Sequence, residues 1–158
     1  MSRGGSLTSR DKEVKLVVPL EAVVAELERT KKHIEGIQEN IKRAVDRLND
    51  LAVARELIST IKLSKVREML VPTDKSGTIY VYAKLEKEEK VVVHIGQDYF
   101  IELSPEKAME VIVSEENEIK ELIKEFEKEF EEASKYFRSL QEILLSARAQ
   151  AKSGGRAG

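Results

Sequence analysis

The chain carries two kinds of hydrophobic pattern, one with period seven and one with period two. From Pro19 onward, apolar residues recur every seven positions in two interleaved rows. One row is Leu20, Leu27, Ile34, Ile41 and Leu48; the other is Val23, Thr30, Ile37, Ala44 and Leu51. Thr30 is the polar exception, Arg55 breaks the first row, and Ile58 continues the second. A strict seven-residue repeat makes a narrow stripe that faces a partner helix, not a broad core face. It predicts a helix over 19–66, opened by Pro19, whose missing N–H costs nothing at the first helical position. The repeat returns over 105–150. There the rows are Ile112, Ile119, Phe126, Ala133, Leu140, Ala147 and Met109, Glu116, Ile123, Phe130, Phe137, Leu144, with Glu116 the polar member.

Between the two helices the period changes to two. EMLVP (68–72), TIYVYAKL (78–85), KVVVHI (90–95) and YFIEL (99–103) read as four strands, separated by TDKSG, EKEE and GQD turns. In the second strand Ile79, Val81, Ala83 and Leu85 share one face, and Tyr80 and Tyr82 the other. Four strands in two hairpins are marginal alone, and several are apolar on both faces. They are therefore expected to pair or pack against other subunits, since an uncovered edge of this kind aggregates. Ser104-Pro105 then closes the strands and opens the second helix, Ser104 as N-cap and Pro105 at the first helical position.

Two helices of about 45 residues, each about 67 Å long at 1.5 Å per residue, favour one antiparallel hairpin. Charge agrees: residues 28–68 carry ten basic and seven acidic groups, and residues 106–148 carry seven and twelve. The fold class expected is α+β: a long antiparallel coiled-coil hairpin with a four-stranded, two-hairpin oligomerisation region at one end. Residues 1–18, rich in Gly, Ser and charge, read as a mobile N-terminal arm in which EVKLVV can form a short extended piece. Residues 151–158 read as a mobile tail, and 19–150 as the domain.

Composition narrows the function classes. With 35% charged and 41% apolar residues, the chain suits solvated helices better than a compact globule. It has no Cys, so disulfides and thiolate metal sites are excluded and a reducing cytosol is the expected location. Scarce Asn and Gln fit a thermophile. No run reaches the ~20 apolar residues of a membrane span. A net charge of −2, with no basic stripe interleaved with aromatics, argues against a nucleic-acid partner. His33 and His94 have no ligand partners nearby in sequence, so no metal is expected. Phe126, Phe130 and Phe137 read as seam packing, and EFEKEFEE as a solvated face. GQD is too short for a phosphate loop, and no nucleophile–base pair suggests itself, so neither catalysis nor a cofactor is expected.

The junction IGQDYFIELSPEKAMEVI (95–112), with MLVPTDKSGTIYVYAKL upstream, resembles the prefoldin α-class subunit. The matching residues are Ile95, Gly96, Tyr99, Phe100, Ile101, Glu102, Ser104 and Ala108, with Leu70, Val71, Pro72, Tyr80 and Val81 before them. The resemblance covers about residues 20–150. Asp98 stands where the family commonly has a second turn glycine, and the arm before residue 19 is longer than the family pattern. The resemblance implies a hexamer of two α and four β subunits. It also implies an ATP-independent holdase that binds unfolded client polypeptides and passes them to a group II chaperonin. The β region would then be the assembly surface: Leu70, Val71, Ile79, Tyr80, Val81, Tyr82, Val91, Val92, Val93, Ile95, Tyr99, Phe100 and Ile101.

An antiparallel hairpin brings the start of the first helix beside the end of the second. That tip holds more apolar groups than a two-row seam uses: Val17, Val18, Leu20, Val23, Val24 and Leu27 on one side, Leu140, Ile143, Leu144 and Leu145 on the other. Surplus apolar surface marks an interaction site, here one for clients. The alternative is ordinary packing at the hairpin end, with residues 14–18 folded back over it. Two other functions stay open, a prefoldin-like scaffold and a homomeric filament or spacer.

Overall fold

The computed structural model describes residues 19–64, 67–86 and 90–155. Its elements are α1 (Leu20–Ser64), β1 (Glu68–Pro72), β2 (Tyr80–Lys84), β3 (Val91–Gly96), β4 (Tyr99–Leu103) and α2 (Pro105–Gly154). The two helices lie side by side along their lengths, antiparallel, and the four strands occupy one end.

The seam follows the heptads, but its two rows are unequal. Val23, Thr30, Ile37, Ala44, Leu51 and Ile58 are all buried, while Leu27, Ile34, Ile41 and Leu48 are half-exposed. Thr30 tolerates burial because its hydroxyl donates to the Glu26 carbonyl at 2.8 Å. At the strand end Leu51, Ile58, Ala108 and Ile112 form a small core, joined by Val91, Val93 and Leu103 from the β3–β4 hairpin. Charge assists pairing in the expected sense. Arg47 meets Glu115 at 2.7 Å, Arg55 meets Glu116 at 3.2 Å, and Lys62 meets Glu106 at 2.7 Å, each a base on α1 with an acid on α2. The hydrogen bond from Lys62 holds the Glu106 carboxyl below the ordinary range.

Both helix starts differ little from the sequence expectation. The Ser104 hydroxyl accepts from Lys107 N at 3.3 Å, with Pro105 at the first position. α1 starts one residue later than expected, with the Pro19 carbonyl accepting from Ala22 N at 2.9 Å. The expected tail is corrected at its beginning: α2 runs on through 151–154 (AKSG), since Ala151 and Lys152 are good helix formers and no proline stops the helix. The arm at 1–18 lies outside the described residues.

The helices are therefore unequal, 45 and 50 residues. Glu26 faces Tyr136, His33 faces Glu129 and Arg47 faces Glu115. This register puts Leu20 level with about residue 142, so roughly the last twelve residues of α2, about 18 Å, overhang the start of α1.

The strands form two separate antiparallel ribbons, β1–β2 and β3–β4. In β1–β2, Met69 pairs with Ala83 and Val71 with Val81 on one face; Leu70 pairs with Tyr82 and Pro72 with Tyr80 on the other. Its loop is organised by Asp74, whose Oδ1 accepts from Thr78 N (2.9 Å) and Ile79 N (3.0 Å) and whose Oδ2 accepts from the Ser76 hydroxyl. These bonds, Ser76 first, lower its pKa from 3.8 to about 2. Gly77 supplies the left-handed residue at φ +67. In β3–β4 the register shifts between His94 and Gly96, leaving Ile95 as a bulge. There the non-glycine residue at positive φ is Gln97 (φ 48), beside Gly96 (φ 133). His94 Nε2 donates to the Gln97 carbonyl at 2.6 Å and its ring packs on Phe100, which holds that conformation in place.

Candidate functional site

Two apolar surfaces lie at opposite ends of the hairpin. The first is the tip, where α1 begins and α2 ends. Of the residues expected there, Leu20, Val24, Ile143 and Leu145 are exposed, the last two by 51% and 65%. Leu27 and Leu144 are half-buried. Val23 and Leu140 are corrected: both are buried, Val23 in the fully buried row of α1 and Leu140 at its place in the α2 seam, so each is consumed by the helix pairing itself. Val17 and Val18 lie outside the described residues.

These side chains make a shallow groove of about 350 Å³, lined by Leu27, Phe137, Leu144 and Leu145, with Glu28, Lys31 and Gln141 on its rim. Phe137 was read as seam packing alone. The available signal was its place one heptad before Leu144, a residue already counted at the tip. The groove exists because bulky residues occupy a row that the partner helix covers incompletely, and because α1 stops short of the end of α2.

The second surface is the strand end. Val91 and Val93 are corrected as assembly residues. Strand alternation points them at the helices, where they pack on the core of their own chain. Val92 and Phe100, on the outer face of the same hairpin, are exposed, as are Ile95, Tyr99 and Ile101. The β1–β2 hairpin makes no close backbone approach to any other described helix or strand. Leu70, Ile79, Tyr80, Val81 and Tyr82 are accordingly exposed, Tyr82 by 89%, and Val71 is half-buried. Both faces of this ribbon are apolar, a state that water disfavours and that assembly relieves.

Among the described residues no three His, Asp or Glu side chains are placed to hold a metal ion. No described helix is long and apolar enough to cross a membrane. What the two ends offer is apolar contact surface.

Comparison with known proteins gives this shape a lineage. The family model described as prefoldin subunit matches residues 20–150. "Prefoldin subunit alpha" of Sulfurisphaera tokodaii is 26% identical over 144 residues, spanning 91% of this chain and 94% of that protein. The protein of the same name from Hyperthermus butylicus is 26% identical, over 82% of this chain and 84% of its own length. Among solved structures, filamentous PFD from Methanocaldococcus jannaschii superposes with a TM-score of 0.60 at 24% identity, covering 78% of this chain and 98% of that one. The four strands at the helix junction and the heptads on either side of them all lie within the matched region, and this chain belongs to the prefoldin subunit family.

Proposed function

We propose that this chain is the α-class subunit of an ATP-independent holdase, in which the helix tips bind exposed apolar segments of non-native polypeptides. The observation that carries the reading is the tip groove beside the exposed Leu20, Val24, Ile143 and Leu145. Burial at about 25 cal/mol per Å² makes contact with one such shallow surface weak and reversible. Several tips held on one platform then act together through high effective concentration. The platform on this reading is built from the β hairpins with prefoldin β subunits, two α and four β, and the client is handed to a group II chaperonin in the cytoplasm. The test is a triple Val24→Ser, Ile143→Ser, Leu145→Ser variant assembled with its β partner. Suppression of client aggregation is expected to be lost while the mass of the complex is unchanged; undiminished suppression would sink the reading.

A second reading is supported by the filamentous relative and by two unjoined apolar ribbons: a homomeric filament or spacer, built through the strand ends alone. Light scattering of the isolated chain separates the two. A filament grows with protein concentration, whereas a subunit awaiting its β partners reaches a limiting size.

A further inference from the structure

The two flanks of the hairpin are built differently. On α1 the buried row is Val23, Thr30, Ile37, Ala44 and Leu51. Residues three and four positions past each of these lie on its two sides. The side three past carries cross-helix polar contacts: Tyr136 bonds Glu26, His33 meets Glu129 and Arg47 meets Glu115. Each α2 partner is likewise three past a seam residue of its own helix, Ala133, Phe126 or Ile112. The side four past is apolar and half-buried. On α1 it carries Leu27, Ile34, Ile41 and Leu48; on α2 it carries Ile123, Phe130, Phe137 and Leu144. Between Leu20 and Leu48, among the described residues, no ion pair or hydrogen bond joins the helices on this side.

The tip groove is the upper end of this apolar flank, since Leu27, Phe137 and Leu144 line it. The opposite flank has its own groove, of about 460 Å³, and there the lining is Glu26, Arg29, His33, Glu129, Glu132 and Tyr136. The exposed large apolar residues of α1 between 20 and 48 are Leu20, Val24 and Val45, and all three lie on the apolar flank. Val24 and Val45 share an outer column with Lys31, Gln38 and Ala52, which holds a single charge. On the polar flank of α2, exposed Leu122 and Ile143 are separated by Glu129 and Tyr136, whereas Ile123, Phe130, Phe137 and Leu144 run without a break. The apolar stripe ends at Arg55 and Glu116, which take the next positions of the same two rows. From Leu20 to Leu48 it is about 42 Å long, room for about thirteen extended residues.

We propose that the client site does not stop at the tip but continues down this one flank, as a groove for an extended, apolar-rich segment of about a dozen residues that ends at the Arg55–Glu116 pair. This rests on the reading that clients bind at the tip, and gives that site a side, a length and a class of ligand. A segment seated there covers Val24, Val45 and the half-buried row beside them, and Lys31 is the one charge on its α1 edge. The polar flank would instead require water to be stripped from Glu26, Arg29 and Glu132. A short apolar peptide reaches the tip alone, and a longer one gains contact heptad by heptad. The polar contacts of the other flank hold the hairpin closed while this one is loaded.

The chain has no cysteine, so a single introduced thiol takes a benzophenone maleimide at one place. The photoprobe is put at Lys31→Cys on the rim of the tip groove, at Gln38→Cys one heptad lower on the apolar flank, or at Asn40→Cys, near the height of Gln38 on the polar flank; all three positions are exposed. The full-length chain, assembled with its β partner, is irradiated with reduced, carboxymethylated lactalbumin, a permanently unfolded polypeptide. Capture of that polypeptide by Lys31→Cys and Gln38→Cys, with little by Asn40→Cys, is the expected result. Capture by Lys31→Cys, with no more by Gln38→Cys than by Asn40→Cys, overturns the groove and leaves the tip reading in place. No capture by either Lys31→Cys or Gln38→Cys overturns the tip reading and the groove with it. Capture of a second copy of this chain by Gln38→Cys, in place of the client, makes the flank a contact between coils and also overturns the groove. In parallel, Val45→Asp, a surface change about 31 Å below Val24, is expected to weaken binding of the same polypeptide at least about threefold with the helical signal unaltered. Unchanged affinity overturns the groove.

Discussion

Arg55 Nη1 lies 3.2 Å from Glu116 Oε2. These are the charged residue that breaks the first row of α1 and the charged residue that interrupts the second row of α2. Glu116 is buried; Arg55 reaches over it from the half-exposed flank. The two interruptions answer one another, so they mark one register of the hairpin: sliding either helix by a turn would leave Glu116 buried against apolar neighbours without its cation.

Removing one partner therefore differs from removing the charge. Arg55→Ala strands a buried carboxylate and is expected to cost about 1–3 kcal/mol in urea unfolding. Glu116→Leu completes the apolar row and frees an arginine that is already half in water. It is expected to be neutral or to stabilise, by up to about 2 kcal/mol. A larger loss from Glu116→Leu than from Arg55→Ala would show that the pair contributes net stability and not register alone.

Most of the architecture could be read from spacing. The heptads fixed the pairing of α1 with α2, and the alternation in 68–103 placed all four strands to within two residues. What spacing could not show was how unequally the two rows are covered. Val23 and Leu140 look like Leu20 and Ile143 in the sequence, yet only the latter pair is exposed, because which of two apolar rows lies deeper depends on the rotation of one helix against the other. Likewise Val91 and Val92 are adjacent and identical. One packs on Leu51, Ile58 and their neighbours and the other faces water, and that choice is set by the hairpin's docking, not by the residue.

The β3–β4 turn holds a non-glycine residue in the left-handed region. Gln97 pays for this conformation sterically, and among the described residues its side chain has no hydrogen-bond partner; it is the carbonyl that accepts from His94. Gln97→Gly keeps that bond and removes the strain. A net gain of about 0.5–1 kcal/mol is expected in thermal unfolding. Gly77 behaves in the opposite way. A Cβ there would meet the Tyr80 hydroxyl at 2.8 Å on a backbone already at φ +67. Gly77→Ala is expected to destabilise the β1–β2 ribbon by more than about 1 kcal/mol. A neutral Gly77→Ala would mean that the loop is not held as described.

Asp74 predicts an acid response of the same loop. Its pKa falls from 3.8 to about 2 because the folded loop donates Ser76, Ile79 and Thr78 hydrogen bonds to the carboxylate. The folded state thus binds a proton more weakly than the unfolded chain. Its contribution to stability is complete above the unfolded value, and is lost as pH falls through about 2. A side-chain carboxyl NMR titration should place the Asp74 midpoint near 2. Amide exchange at Thr78 and Ile79 should then quicken over the same interval. A midpoint near 3.8 would mean that these three bonds are not formed in solution.

The β1–β2 ribbon makes no close backbone approach to any other described helix or strand, and this has a dynamic consequence. Its ladder is held by five paired residues on each strand, with apolar faces open to water, so in the isolated subunit it should open locally far more often than the seam around Ile112. Assembly would cover Tyr80, Tyr82 and Leu70 and couple that opening to dissociation. Amide exchange in β2 is therefore expected to slow by at least about tenfold when β-class partners are added, while exchange around Ile112 changes little. Tyr82→Asp should abolish the slowing without altering the helical signal, since Tyr82 touches water and not the coil. If β2 were already as protected in the dilute single chain as Ile112, the ribbon would be stable unaided and the case for it as an assembly surface would fall.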